Sequence, residues 1–179
     1  MVRARDWCRG RAGKLNVRPQ RRSVFEFRVT KYDPAYRDRG GAYTRDEWIS
    51  VCQIGQIFNG VVLTEQEYQR VEDAYITAAV AFLREAGVSS LTVASFENHA
   101  SVPLPFAEGS QLGLTEVGEV IRRLLRAEFW CKLVSAEAFV HIGYDYYMYV
   151  GVPVACPNAE HLAQQLGLFV EPFRSPYRE

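Results

Sequence analysis

The sequence predicts an α+β domain in which a mixed or antiparallel sheet packs with about three helices. Three observations predict this class. Residues 24–32 alternate apolar and polar side chains, residues 65–86 repeat apolar side chains at helical spacing, and residues 137–150 have the pattern of a local hairpin. Because the two hairpin strands follow each other without a helix between them, the pattern favours α+β over a doubly wound fold.

The first strand is predicted over residues 24–32. Phe25, Phe27 and Val29 share one face and polar side chains alternate with them, which is typical of a half-buried strand. The Asp33-Pro34 step then indicates a charged loop.

Residues 46–54 are predicted as the second strand, because apolar and polar side chains alternate from Ile49 to Ile54. The preceding residues, with Thr44 and Glu47 at capping-box spacing, resemble a helix start instead. A turn at residues 58–60 is expected to lead into a short apolar segment.

The longest helix is predicted over residues 65–86, with Thr64 and Glu67 as a second capping box and Gly87 at its end. Its apolar side chains recur at steps of three and four and form one stripe. They are Tyr68, Val71, Tyr75, Ala78, Ala79, Phe82 and Leu83.

Shorter elements, bounded by capping or turn-forming residues, complete the prediction. In chain order, the first are a strand at 89–97, a loop at 98–113, and a helix that is capped by Thr115 and ends near residue 126. A strand or an extension of that helix follows at 129–134. The last are a hairpin of 137–142 and 144–150, a helix at 158–166 and a strand at 168–171.

Charge is distributed unevenly between the N-terminal segment and the rest of the chain. Of 21 basic and 21 acidic side chains, residues 1–22 hold eight basic and one acidic, a net of +7, which leaves a net of −7 for residues 23–179. Residues 24–179 are therefore predicted to form a single acidic domain. Such a domain repels nucleic acid and anionic membranes, and attracts basic proteins.

Residues 1–23 are predicted to be a basic, disordered tail, and three explanations of this segment stand. The first, preferred, is a start codon assigned too early, because Val24 opens the first strand and a valine codon can serve as a bacterial start. The second is a disordered arm that contacts nucleic acid. The third is an organellar targeting segment, although Gly10, Gly13 and Pro19 interrupt an amphipathic helix there.

The remaining composition predicts a cytoplasmic protein without a metal or cofactor. Cys8, Cys52, Cys131 and Cys156 are far apart and lack the paired spacing of zinc or redox sites, which indicates free thiols in a reducing compartment. No apolar run approaches the roughly 20 residues that cross a membrane. The sequence leaves the oligomeric state open.

One enzymatic alternative is a small metal-dependent hydrolase or nuclease that uses Glu97, His99 and His141. Carboxylates together with histidines are the ligands that such enzymes use. A second arrangement pairs His141 with Asp145 across the hairpin turn for acid–base chemistry. The sequence lacks the common metalloprotease, phosphate-binding and serine-hydrolase motifs, so we expect no catalytic residue.

A dense aromatic run, residues 144–149, supplies the predicted protein-binding residues. If the run is a strand, Tyr147 and Tyr149 share the face opposite Tyr144, Tyr146 and Met148. One face must pack on the core, and an exposed Tyr face beside Asp145 is typical of a protein interface. Stacking of nucleic-acid bases is the rival explanation, which the negative charge disfavours. The predicted binding residues are Asp145, Tyr147, Tyr149, Asp46, Glu47 and Trp48.

Three segments carry a resemblance to a known group of proteins. They are residues 31–34 with 43–48, residues 143–149, and residues 167–171 with Ser175-Pro176-Tyr177. Together they resemble small uncharacterised bacterial proteins that are similar to the immunity proteins of polymorphic toxin systems. This chain has Cys52-Gln53 before Ile54-Gly55 where that group is expected to have Ser-Asp. The resemblance implies a cytoplasmic toxin inhibitor that neutralises a cognate effector by binding. An acidic domain is consistent with a basic effector.

Overall fold

The structure, a computed structural model, describes residues 25–98 and 103–177. Its main sheet has seven strands whose neighbours are all antiparallel, and three α-helices pack against it. A separate two-stranded hairpin completes these residues. The predicted α+β class, with an antiparallel sheet and three helices, is therefore confirmed, whereas the predicted basic tail, residues 1–23, lies outside the described residues.

The helices and strands are numbered in chain order. The helices are α1 (Glu65–Glu85), α2 (Leu114–Leu125) and α3 (Pro157–Gln165). The strands are β1 (Phe25–Thr30), β2 (Ile57–Phe58), β3 (Val61–Val62), β4 (Ser90–Glu97), β5 (Gln111–Gly113), β6 (Trp130–Val134), β7 (Phe139–Ile142), β8 (Met148–Val152) and β9 (Phe169–Pro172). The order across the main sheet is β5-β4-β6-β7-β8-β1-β9, and β2 pairs with β3.

Helix α1 forms the centre of the core. The side chain of Thr64 accepts a hydrogen bond from the backbone N–H of Glu67, which starts the helix where the capping pattern predicts. Every residue of the predicted apolar stripe is buried, and α1 packs against α2, α3 and β8. The helices cover one face of the sheet, and the core lies between them and that face.

A buried carboxylate fastens α1 to α2. Glu72 is fully buried, and both Arg122 and Arg126 donate to it, with Nε of Arg126 at 2.7 Å. The two guanidinium groups remain partly exposed. The ion pairs therefore lie at the boundary between the core and solvent, at one end of the helix pair.

None of the described helices lies on the opposite face of the sheet, and residues 173–177 lie across it. Tyr149 contacts Phe173 and Tyr177, with both ring-centroid distances at 5.9 Å, and Nδ1 of His141 lies 2.8 Å from Oγ of Ser175. These contacts bury Tyr149 and His141 although they lie on the side away from the core.

A close approach on this helix-free face depends on a glycine. Phe139 and Gly151 are register partners in β7 and β8, and a Cβ at Gly151 would overlap the Phe139 ring. The ring therefore lies flat on the backbone of β8, where it stacks on His141 with centroids 4.4 Å apart.

The predicted strand at residues 46–54 is wrong. The segment is irregular and contains one short 3-10 turn, Val51–Gln53. The Ser50 hydroxyl accepts from Cys52 N–H and the Gln53 side chain accepts from Ile49 N–H. Side chains that satisfy nearby backbone groups in this way compete with strand pairing.

Three other boundaries differ from the predictions. The predicted loop at 98–113 contains β5, which pairs with β4. Helix α2 is capped at Gly113 rather than Thr115, because the Glu116 carboxylate accepts from Gly113 N–H at 2.7 Å. The second hairpin strand begins at Met148, not Tyr144, since residues 143–147 form the connecting loop.

The other predicted elements are confirmed within a few residues. They are the first strand, the 58–60 turn, the long helix, the strand at 89–97, the strand alternative at 129–134, the hairpin, the last helix and the closing strand.

Candidate functional site

The indole of Trp48 is the centre of an aromatic cluster at one end of α1. Trp48 is 6% exposed, and its ring lies 5.3 Å from that of Tyr68 and 5.1 Å from that of Tyr146. Both are tilted or edge-on contacts, the arrangements that aromatic pairs prefer. Trp48 thus anchors the irregular 46–54 segment to α1, and little of its surface is available to a partner.

Lys31 lies against the same indole from another side. Its ammonium is 4.0 Å from the Trp48 ring centroid and 3.1 Å from Oε2 of Glu47. Burial lowers the pKa of Lys31, and the Glu47 carboxylate opposes that effect. The predicted residues Glu47 and Trp48 therefore already hold a cation between a carboxylate and an aromatic face.

The hydroxyl of Tyr32 connects the two groups of predicted residues. It lies 3.1 Å from the carbonyl oxygen of Asp145 and 3.4 Å from that of Trp48. Tyr32 is buried, and burial raises the pKa of its phenol, so the hydroxyl stays a donor. Residues 46–48 and 145–147, far apart in sequence, meet at this point.

The loop 143–147 presents Asp145 and part of Tyr147 to solvent. Asp145 is exposed and Tyr147 half-buried. The Tyr147 ring lies 5.1 Å from that of Tyr32 and 5.0 Å from the Arg28 guanidinium carbon. Tyr149 is only 5% exposed, and burial raises its pKa to about 12. Of the predicted tyrosines, Tyr147 is thus the more accessible.

Among the described residues, exposed large apolar side chains are most frequent in residues 49–62, which overlap the predicted 46–54 strand, the predicted turn and the short apolar segment after it. We call this set the hairpin surface. Its five members are between 37% and 70% exposed; they are Ile49, Ile54, Ile57, Val61 and Val62. Large apolar side chains grouped at a surface mark interaction sites more often than isolated ones do. Exposed Tyr144 extends the set, because it lines the same cavity of about 200 Å³ as Ile49.

The hairpin that carries this surface is fixed by its turn. Asn59 and Gly60 both have positive φ, at 49° and 80°, which is the conformation that a two-residue hairpin with right-handed twist requires. The Asn59 side chain also donates to the carbonyl of Asp46 at 2.6 Å. The predicted residue Asp46 is therefore directly beside the hairpin.

Carboxylates occur near the hairpin surface and Tyr144: the carbonyl of Asp46 accepts from Asn59, Glu65 is three residues after β3, and Asp145 follows Tyr144 in the chain. Asp46, Glu65 and Asp145 are exposed, and none of the three makes an ion pair with another described residue. A neighbouring cation, Arg45, stacks on Tyr36 with its guanidinium carbon 3.3 Å from the ring centroid. Side chains of Glu47 and Glu67 line a groove of about 270 Å³ next to β3.

The structure does not bring the described members of the candidate metal set together. Glu97 is exposed at the end of β4, His141 is buried beside Ser175 and Phe139, and His99 lies outside the described residues. Within residues 25–98 and 103–177, no three His, Cys, Asp or Glu side chains are arranged to hold a metal. The complete Glu97, His99 and His141 set stays a prediction.

The cysteines differ in accessibility. Cys52, Cys131 and Cys156 are free thiols, as expected, while Cys8 lies outside the described residues. Burial raises the pKa of Cys131 to about 12 and that of Cys156 to about 11, which makes both unreactive at neutral pH. Cys52 is exposed in the 3-10 turn of residues 51–53, two residues before Ile54 of the hairpin surface.

The lengths of the helices and the comparisons with known proteins both bear on the class of protein. No helix within the described ranges has the length and apolarity needed to cross a membrane. Comparison with protein-family models, with curated proteins and with solved structures gives no match. We therefore infer function from the surface itself.

Proposed function

We propose that this chain is a protein-binding domain of the immunity type, which neutralises a basic effector protein by covering it rather than by catalysis. The observation that carries the proposal is the hairpin surface, whose five apolar side chains lie beside exposed carboxylates. An apolar centre with a charged rim is the usual anatomy of a protein interface.

The position of the predicted residues supports the same surface. Asp46 is hydrogen-bonded through its carbonyl to the hairpin turn, and Glu47 lines the groove beside β3. The carbonyl of Asp145 accepts from the Tyr32 hydroxyl, which also contacts the Trp48 carbonyl, and the Tyr147 ring packs on the Tyr32 ring. Trp48 and Tyr149 support the surface from beneath rather than contact a partner, since both are buried.

Net charge supports the choice of a basic partner. Residues 23–179 carry a net of −7, and opposite charge on a partner increases the association rate and disfavours acidic competitors. Because exposed charges are screened by salt, we expect association to slow as the ionic strength rises past about 0.15 M, where the Debye length is about 8 Å.

The test is an affinity capture from the native cell with the full chain as bait, read by mass spectrometry. We expect one stoichiometric basic protein, retained by wild type and lost by the double variant Ile57→Asp/Val61→Asp. The matched control is Val154→Asp, which changes a 45% exposed valine outside the hairpin surface and should leave capture intact. Equal capture by the double variant and wild type would place the binding surface elsewhere. No captured protein at low salt would contradict the proposal.

A further inference from the structure

Both outer edges of the β2–β3 hairpin carry unused backbone hydrogen-bonding groups. Phe58 pairs with Val61 next to the turn, Ile57 with Val62, and the N–H of Leu63 donates to the carbonyl of Gln56 at 2.8 Å. Hydrogen-bonded and non-hydrogen-bonded pairs alternate in antiparallel strands. The N–H and C=O groups of Ile57 and Val62 therefore point away from the hairpin, and no hydrogen bond within the described part of the chain uses them.

No side chain or covering segment of the residues that the structure describes protects these edges against pairing with another chain. Natural proteins block an exposed edge with lysine, proline, a bulge, a covering segment or a very short strand, and β2 and β3 are short, with two residues each. Here the edge residues Ile57 and Val62 are apolar, 65% and 49% exposed. By contrast, the edge strand β9 of the main sheet is partly covered, because Arg37 crosses it to bind Glu171 at 2.7 and 2.9 Å.

The β3 edge also borders the groove described above. Val61, Val62 and Leu63 line it together with Glu47 and Glu67, whereas Phe58 is its one lining residue from β2. Oε2 of Glu47 binds Lys31, and both oxygens of Glu67 bind the exposed Arg70. Arg45 also lines the groove, with its guanidinium stacked on Tyr36. A cationic side chain entering the groove would share the two carboxylates with Lys31 and Arg70, beside the apolar wall of β3.

We propose that the partner adds an extended segment along β3, pairing with the backbone of Val62, and that this segment alternates apolar and basic side chains. This binding mode rests on the proposed function and specifies how the partner is bound. Main-chain hydrogen bonds supply affinity in such strand addition, and alternate side chains supply specificity. Because side chains alternate along a strand, the apolar side chains of the segment would lie on the face that Val62 shares with Ile57. Its basic side chains would lie on the face of Val61 and Phe58, towards Glu47 and Glu67.

The test uses the full-length protein and an acetylated, amidated heptapeptide of alternating lysine and valine, followed by amide NMR. Wild type should bind it, with shifts and slowed exchange of the Val62 amide. Val62→Pro removes the outward N–H without removing a hydrogen bond inside the hairpin. It should weaken binding by about tenfold, whereas Val62→Thr, which keeps the N–H, should stay within about twofold. Thermal unfolding checks that both variants fold.

Other arms of the experiment would overturn the proposal. The proposal fails if the peptide does not bind at millimolar concentration, or if a peptide N-methylated at every residue binds as well as the unmodified one. It also fails if a glutamate–valine peptide binds as well as the lysine–valine peptide, or if Ile57→Pro abolishes binding and Val62→Pro does not. A wild-type dimer that Val62→Pro dissociates would make a second copy of the chain the occupant instead. If the captured effector is lost with Ile57→Asp/Val61→Asp but kept with Val62→Pro, the proposed function stands and strand addition fails.

Discussion

The phenol oxygen of Tyr32 lies 3.1 Å from the carbonyl oxygen of Asp145, and this contact holds the 143–147 loop against the segment that contains Trp48. The residues are 113 apart in sequence. Because the same hydroxyl lies 3.4 Å from the Trp48 carbonyl, one side chain positions both halves of the proposed binding region.

Replacing Tyr32 by Phe should therefore loosen the loop without emptying the core. We expect a loss of about 1–2 kcal/mol in the free energy of unfolding, since the carbonyls lose a buried donor, and faster hydrogen exchange at Tyr146 and Tyr147. Urea denaturation and amide exchange measure the two effects. Tyr144→Phe is the control, because Tyr144 is 68% exposed. An unchanged exchange rate in Tyr32→Phe would show that the loop is held by packing alone.

Tyr75 has a larger role in stability than its single hydroxyl suggests. The hydroxyl accepts from the N–H of Lys31 and donates to the carbonyl of Tyr146, both at 2.8 Å, in a fully buried position. Tyr75→Phe leaves two buried backbone groups unpaired, so we expect a cost of about 2–4 kcal/mol. Urea denaturation beside Tyr144→Phe provides the measurement. A cost below about 1 kcal/mol would mean that other groups or water take over both bonds.

The Glu171 carboxylate should make stability depend on pH on the acid side. Burial would raise its pKa, but hydrogen bonds from Arg28 and Arg37 outweigh burial and hold the pKa below the ordinary 4.5. A carboxyl whose pKa is depressed by folding stabilises the protein fully above its unfolded-state pKa and loses that contribution as pH falls through the folded value. We therefore expect Glu171→Gln to be less stable than wild type at pH 7, and the difference to shrink below pH 4.5.

Urea denaturation from pH 7 to pH 3 checks this expectation. The exposed Asp73, paired with Arg122 but 60% exposed at its side chain, supplies a control in Asp73→Asn, whose effect should stay under about 1 kcal/mol. A difference between wild type and Glu171→Gln that is constant with pH would show that the carboxylate stabilises by shape rather than by charge.

Gly151 should not tolerate even alanine. The added Cβ would overlap the ring of Phe139, and overpacking of this kind costs about 1–3 kcal/mol. In a Phe139→Ala background the same change should cost much less, because the two residues share one space. A double-mutant cycle by urea denaturation measures the coupling. Gly113→Ala is the control: it has its own cost at the N-cap of α2, but that cost should simply add to the cost of Phe139→Ala, since a Cβ there meets Glu116 and not Phe139. Additive costs would contradict the clash.

The sequence predicts the elements whose causes are local. The capping residue Thr64, the stripe of α1 and the Asn59-Gly60 turn all act within a few residues, and each is confirmed. Strand β5 has no such local cause, because three residues between a loop and α2 become a strand only by pairing with β4. Residues 46–54 show the reverse case. Their alternation predicts a strand, but side-chain hydrogen bonds to nearby backbone groups replace strand pairing.

The candidate surface is predictable only in part, and for a related reason. The carbonyl of Asp46 contacts the hairpin turn, Glu47 lines the groove beside β3 and Asp145 is exposed, so these three stay predicted binding residues. Tyr149 becomes buried through residues 173–177, a contact that strand alternation does not reveal. The sequence does not reveal that Val61 and Val62 are exposed, because short apolar runs have the same pattern in a core strand and in a surface hairpin.

Cys52 is a natural labelling site beside the hairpin surface. Its thiol is exposed close to Ile54, whereas Cys131 and Cys156 are buried with raised pKa values. In a Cys8→Ser background, a maleimide fluorophore would therefore attach at that single exposed position. Its emission would follow the approach of any partner to this side of the molecule in real time, without a tag and before the partner has been identified.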